Sequence, residues 1–132
     1  MEKVKTIAVN LAAAALICLA LIWGNTLYRQ HVQFQKGEKA WAAGDFLAAV
    51  AGYESAIHMY TPGSSLVERS ANRLWQLGEM AEQKGDIARA LIAYRSLRSS
   101  YYSVAGIYAP GKDWIKRCDE RIAALVKIQQ GR

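Results

Sequence analysis

The chain has 132 residues, with 17 Lys and Arg against 11 Asp and Glu, for a formal charge of +6. That length suits one folded domain and little besides. With two cysteines, two histidines and no Cys-x-x-Cys, His-Glu-x-x-His or Gly-x-Ser-x-Gly run, the sequence excludes motif-defined metal and hydrolase sites and a disulfide-stapled scaffold.

The first element is an uncharged run from Thr6 to Tyr28, whose apolar mass includes Ile7, Leu11, Leu16, Leu19, Leu21 and Trp23. Backbone polar groups in lipid have no water to bind, so a spanning segment must be helical. As a helix this run reaches about 35 Å, enough for a hydrocarbon core of about 30 Å. Lys3 and Lys5 flank one end, with Asn10 close enough to reach that interface, and Trp23 and Tyr28 stand where interfacial aromatics anchor the other. A cleaved signal peptide shares the basic start, but its apolar region is shorter and a small-x-small cleavage site follows it. Ile22 to Tyr28 holds no such site, and Cys18 follows Leu16-Ile17 rather than the small residues of a lipoprotein. Residues 1–28 are therefore expected to be a tail and a permanent anchor, with 29–132 as the folded domain. The short basic head predicts a cytoplasmic N-terminus and a periplasmic or otherwise extracytoplasmic C-terminal domain, although Arg29, Lys36 and Lys39 pull the other way. Ala20 and Gly24 have the spacing for close helix approach, a weak signal beside the alanine run 12–15.

Beyond the anchor the chain repeats itself at an offset of 41. Gly44-Asp45, Ala49 and Tyr53 recur as Gly85-Asp86, Ala90 and Tyr94, while Glu38 and Ala40 recur as Glu79 and Ala81. Each Gly ends a helix in a left-handed turn, each Asp caps the free amides of the next helix, and the small Ala lets the paired helices approach. Between the copies, Pro62-Gly63 breaks the chain. Ser65 with Glu68 then reads as a capping box opening a helix that runs to Lys84.

This pattern resembles the tetratricopeptide repeat, a 34-residue helical pair. Leu74, Leu77, Gly78, Ala81, Gly85, Asp86, Ala90 and Tyr94 carry the likeness in the second unit, about 71–102. The first unit, about 29–62, keeps Gly37, Ala40, Gly44, Asp45, Ala49, Tyr53, Ala56 and Pro62. It departs at Gln33 and Lys36, which replace aromatic or aliphatic residues, as suits a first helix continuing out of the anchor. The resemblance implies an all-α fold in which the first helix of each pair lines an inner wall. The inward positions are then His31, Phe34, Glu38 and Trp41 in the first unit, and Asn72, Trp75, Gln76, Glu79 and Glu82 in the second.

A last helix is expected over about 113–129, with Asp113 as its cap, the apolar stripe Trp114, Ile115, Cys118, Ile122, Leu125 and Val126, and a polar outer face suited to ending a stack. Cys118 lies between Arg117 and Arg121, which lower a thiol pKa, but its place in the stripe favours a core position. Residues 86–132 hold nine basic and four acidic side chains. That excess is either a solvated face or a patch, Lys112, Lys116, Arg117 and Arg121, for anionic headgroups.

Other motifs point nowhere. Gly106 to Lys112 has phosphate-loop spacing, but Asp113 stands where Ser or Thr is needed and no strand precedes it. Basic and aromatic residues alternate over Tyr94 to Tyr102 as in nucleic-acid binders, but Tyr94 belongs to the repeat core. His31 and His58 have no partner at ligand spacing. The expectation is a protein without catalytic, metal or cofactor site and without nucleic-acid or small-molecule ligand: a bitopic adaptor that binds a protein of a bacterial envelope complex, with Trp41 and Trp75 as anchors. Two alternatives remain open, a structural accessory subunit held through its transmembrane helix and a peripheral module for anionic lipid.

Overall fold

The computed structural model describes residues 1–61, 64–104 and 111–131. These residues form five helices: α1 (Glu2–Ala42), α2 (Phe46–His58), α3 (Leu66–Gln83), α4 (Ile87–Ser103) and α5 (Lys112–Gln130). Among the described residues there is no strand. The Pro62-Gly63 break and residues 106–110 of the phosphate-loop-like run lie outside the described residues.

The chain's two prolines, Pro62 and Pro110, both fall after α1, so nothing in that helix removes an amide from its ladder. It is long and apolar enough to cross a membrane, and none of its apolar window is buried within the protein. The same helix continues without interruption to Ala42. Only Gln30, Phe34 and Gly37 are buried in it, at the three- and four-residue spacing of one helix face.

Both Gly-Asp pairs close their helices identically. Gly44 and Gly85 take φ of 76° and 75°, where a side chain is strained and glycine is not. The amide of Gly44 donates to Trp41 O at 3.0 Å and that of Asp45 to Ala40 O at 2.8 Å. Gly85 donates to Glu82 O and Asp86 to Ala81 O, each at 2.9 Å. This is the Schellman arrangement, made twice. Each Asp then caps the next helix, Asp45 Oδ1 accepting from the Ala48 amide at 3.2 Å and Asp86 Oδ1 from the Arg89 amide at 3.1 Å.

The other two helix starts differ from the expectation. Ser65 sits in the right-handed region and makes no capping bond. Ser64 Oγ instead accepts from the Leu66 amide at 3.3 Å, and Glu68, the supposed second half of the box, accepts from Trp114 Nε1 at 3.1 Å. At α5 the cap position belongs to Gly111, with φ 79°, and Asp113 lies inside the first turn, where its charge favours the helix dipole instead.

Within each hairpin a glycine lets an aromatic ring lie flat on the opposing helix. A Cβ on Gly37 would meet the Tyr53 ring at 2.9 Å, and one on Gly78 would meet Tyr94 at 2.5 Å. In the first hairpin the backbones themselves touch, since a Cβ on Gly52 would fall 2.5 Å from Gly37 N. Contacts join α1 to α2, α2 to α3, α3 to α4 and α4 to α5, and α1 also reaches α3. The core runs unbroken from Phe34 through Tyr53, Ile57, Leu74, Tyr94, Leu97 and Tyr101 to Trp114 and Cys118 on α5. Burial pushes the Cys118 thiol up from 9.0 to about 12, against the pull of Arg98 and Arg117. Cys118 is a core residue, as its place in the stripe predicts.

Candidate protein-docking face

Helix α3 presents Asn72, Gln76 and Glu79 to solvent and holds Trp75 and Glu82 half-buried, the one-face pattern of residues three and four apart. Trp75, Glu79, Glu82 and Gln83 line an open cleft of about 330 Å³ with Tyr94 and Arg121. Three side chains expected on the inner wall, Trp75, Glu79 and Glu82, thus come together beside a cation on α5.

The walls of this cleft are fixed by contacts within the chain. Trp75 packs against Tyr94, with centroids 4.9 Å apart, and against Trp114 at 6.1 Å. The Arg117 guanidinium lies over both indoles, 4.3 Å from Trp75 and 4.4 Å from Trp114. Glu82 pairs with Arg121 and accepts the Tyr94 hydroxyl. Burial first, then the charge of Glu79, pushes Tyr94 up to about 12, so its hydroxyl is a donor at neutral pH.

On α1 the outcome is divided. Phe34 is 1% exposed, its ring tilted against Tyr53 at 5.7 Å and covered by the Arg69 guanidinium at 4.7 Å. The expectation of Phe34 as a partner contact is corrected: it shares the buried face with Gln30 and Gly37 and belongs to the core. His31 is exposed but lines none of the clefts described. Glu38 accepts the Tyr53 hydroxyl at 2.8 Å and pairs with Arg73 Nε at 2.7 Å. Burial, then the Glu38 hydrogen bond, raises the Tyr53 hydroxyl well above the ordinary tyrosine value. Trp41 is half-buried, edge-on to Tyr53 at 6.2 Å, with Arg73 5.4 Å from its ring. It lines a second, more apolar groove of about 250 Å³ with Phe46, Leu77, Met80, Lys84 and Arg89. Trp41 and Trp75 therefore serve separate depressions rather than one groove.

Of the basic-patch residues, Lys112, Lys116 and Arg117 are exposed, with the Arg117 guanidinium over two indoles, and half-buried Arg121 is paired with Glu82. Trp23 and Tyr28 are exposed on α1, at the end of the apolar run nearest the domain. Among the described residues no group of three or more His, Cys, Asp or Glu is placed to hold a metal.

Sequence reasoning missed Gln30 and Arg73, and it placed Arg117 only in a basic patch. Gln30 is fully buried, donating to Ala56 O at 2.9 Å and Met59 O at 3.2 Å and accepting from Ser64 Oγ at 2.5 Å. The repeat could have found it: counted on by 41 residues, Gln30 falls on Ala71, a fully buried position. No comparable signal marks Arg73 and Arg117, because an arginine over an indole looks like any surface cation in sequence. Compared with protein-family models, curated proteins and solved structures, the chain has no match.

Proposed function

We propose that this chain is a single-pass adaptor of the cytoplasmic membrane: α1 spans the bilayer, and a tetratricopeptide-like domain outside the cytoplasm docks a component of an envelope complex. The observation that carries the reading is the cleft formed by Trp75, Glu79, Glu82 and Arg121, on a scaffold continuous with the apolar part of α1. A half-buried indole beside an exposed carboxylate suits one apolar and one cationic side chain of a partner helix or extended segment. The duplicated Gly-Asp closures and Gly-Tyr contacts support the tetratricopeptide-like assignment, since such hairpins bury their apolar faces only by stacking. The domain catalyses no reaction and takes no cofactor, nucleic acid or small-molecule substrate.

A second reading has one specific observation in its favour. Arg117 and Arg121 already occupy part of the inner wall, as expected if the domain is a rigid spacer and the chain is an accessory subunit held through α1.

A photo-crosslinker at Glu79 separates the two in native membranes, with one at exposed Ala51 as the control. The adaptor reading expects a discrete adduct from position 79, none from 51, and its loss with Trp75→Ala. Absence of an adduct at 79, with association lost only when residues 6–28 are replaced, favours the spacer.

A further inference from the structure

The domain is joined to the apolar run without a linker. The run ends at Tyr28, and Gln30, only two residues on, is already fully buried under the domain's own chain, bonded to Ala56 O, Met59 O and Ser64 Oγ. Those two residues of helix advance about 3 Å. The headgroup layer is about 5 to 8 Å deep on each side of the hydrocarbon. The run exceeds the hydrocarbon by about 5 Å, so a centred helix carries Gln30 about 5 to 6 Å past its edge, still within that layer.

The antiparallel packing shows which residues share that end. Helix α2 returns toward Gln30 and finishes at His58, and α3 departs again at Leu66. Trp114 Nε1 meets Glu68 in the first turn of α3, and a Cβ on Gly111 would lie 2.1 Å from the Tyr101 ring. The last turn of α4 and the first turn of α5 therefore stand level with the start of α3. Exposed Arg29, Tyr102 and Lys112 occur at this end, and the Gly44 and Gly85 turns lie at the other.

Resting on the reading of α1 as a membrane span, we infer that the domain is seated on the bilayer: the end bearing Arg29, Tyr102 and Lys112 lies in the phospholipid headgroup layer, and the Gly44–Gly85 end faces away. Tyr102 has the amphipathic ring that interfaces favour, and Arg29 and Lys112 carry cations able to meet lipid phosphates. Asp113 and Glu68 share this end, so the seating rests on the missing linker rather than on a strong positive field. The consequence for docking is directional. The apolar groove of Trp41, Phe46 and Met80 lies at the end turned away from the lipid and is open to a partner.

The test places one fluorophore at a time on the full chain in phosphatidylcholine–phosphatidylglycerol nanodiscs. Tyr102 and Leu47 are 58% and 63% exposed, so Tyr102→Cys and Leu47→Cys are tolerated sites for labelling in a Cys18→Ala background. Buried Cys118 does not compete for label. Lipids with a nitroxide headgroup are expected to quench the probe at 102 severalfold more than the probe at 47. Equal, weak quenching at both sites overturns the seating. A probe on native Cys18, read with acyl-chain nitroxides, checks the span separately: without quenching there, α1 does not cross the bilayer and the premise has failed instead.

Discussion

The two hairpins share a frame and differ in what they present. Both close with the same Gly-Asp turn and both seat a tyrosine on a glycine. Their inner walls diverge: counted on by 41 residues, Phe34 becomes Trp75, Trp41 becomes Glu82 and Gly52 becomes Ala93. The first hairpin turns its aromatic into the core and brings its backbones into contact. The second leaves an indole half-open beside two carboxylates and lets α5 lean on it. Positions that fix the backbone have little freedom, because left-handed turns and ring-on-backbone contacts admit few residues. Positions on the wall are freer, and the two hairpins differ there.

The largest test of this contrast is to truncate the equivalent aromatics. Phe34→Ala removes a core ring and should cost about 3–5 kcal/mol, read from thermal melting of the domain's helices in detergent. Trp75→Ala should cost clearly less, since its ring is only partly buried. An equal loss would erase the distinction between core and wall.

Alkaline pH should sharpen the contrast next. Cys118 rises from 9.0 to about 12 and Tyr94 from 10.0 to about 12, both through burial. A folded-state pKa raised in this way gives stability that is complete below the unfolded value and is lost as pH climbs through the folded one. Stability should therefore hold up to about pH 9 and fall between 9 and about 12, with amides of α4 and α5 losing exchange protection. Cys118→Ala should flatten the first part of that fall.

At the helix crossings, Gly52→Ala drives a methyl into the Gly37 backbone. The expected strain of about 1–3 kcal/mol outweighs the gain of about 1 kcal/mol in helix propensity. The reverse exchange, Ala93→Gly, has no clash to relieve and should cost about 2 kcal/mol, about 1 from propensity and about 0.8 from the buried methyl it removes. Smallest and most alike are the caps: Asp45→Ala and Asp86→Ala should each cost about 1 kcal/mol, and a large difference between them would mean the two turns are not equivalent.

The frame was legible in the sequence because its signals are local. Gly44-Asp45 and Gly85-Asp86 announce both turns, and the expected helix from Ser65 to Lys84 is observed over Leu66–Gln83. The misjudged features depend on tertiary contacts. Ser65 looks like a cap, but the Ser64 hydroxyl is the one aimed at the helix start and at Gln30. Asp113 looks like a cap, but left-handed Gly111 sets the turn two residues earlier. Phe34 counts as inward by family spacing, yet its ring packs against Tyr53 and is covered by Arg69 from α3. The candidate site was legible only in part: Trp75, Glu79 and Glu82 do converge, while Arg117 and Arg121 act from α5 in a way no spacing rule conveys.

The most direct measurement is the distance along α1 in the lipid-embedded protein. Spin labels on native Cys18 and on Gln35→Cys lie seventeen residues apart in the chain. One unbroken helix predicts a single narrow distribution centred near about 26 Å. A broad distribution, or a distinctly shorter separation, would show a hinge between the apolar run and the domain and contradict the account.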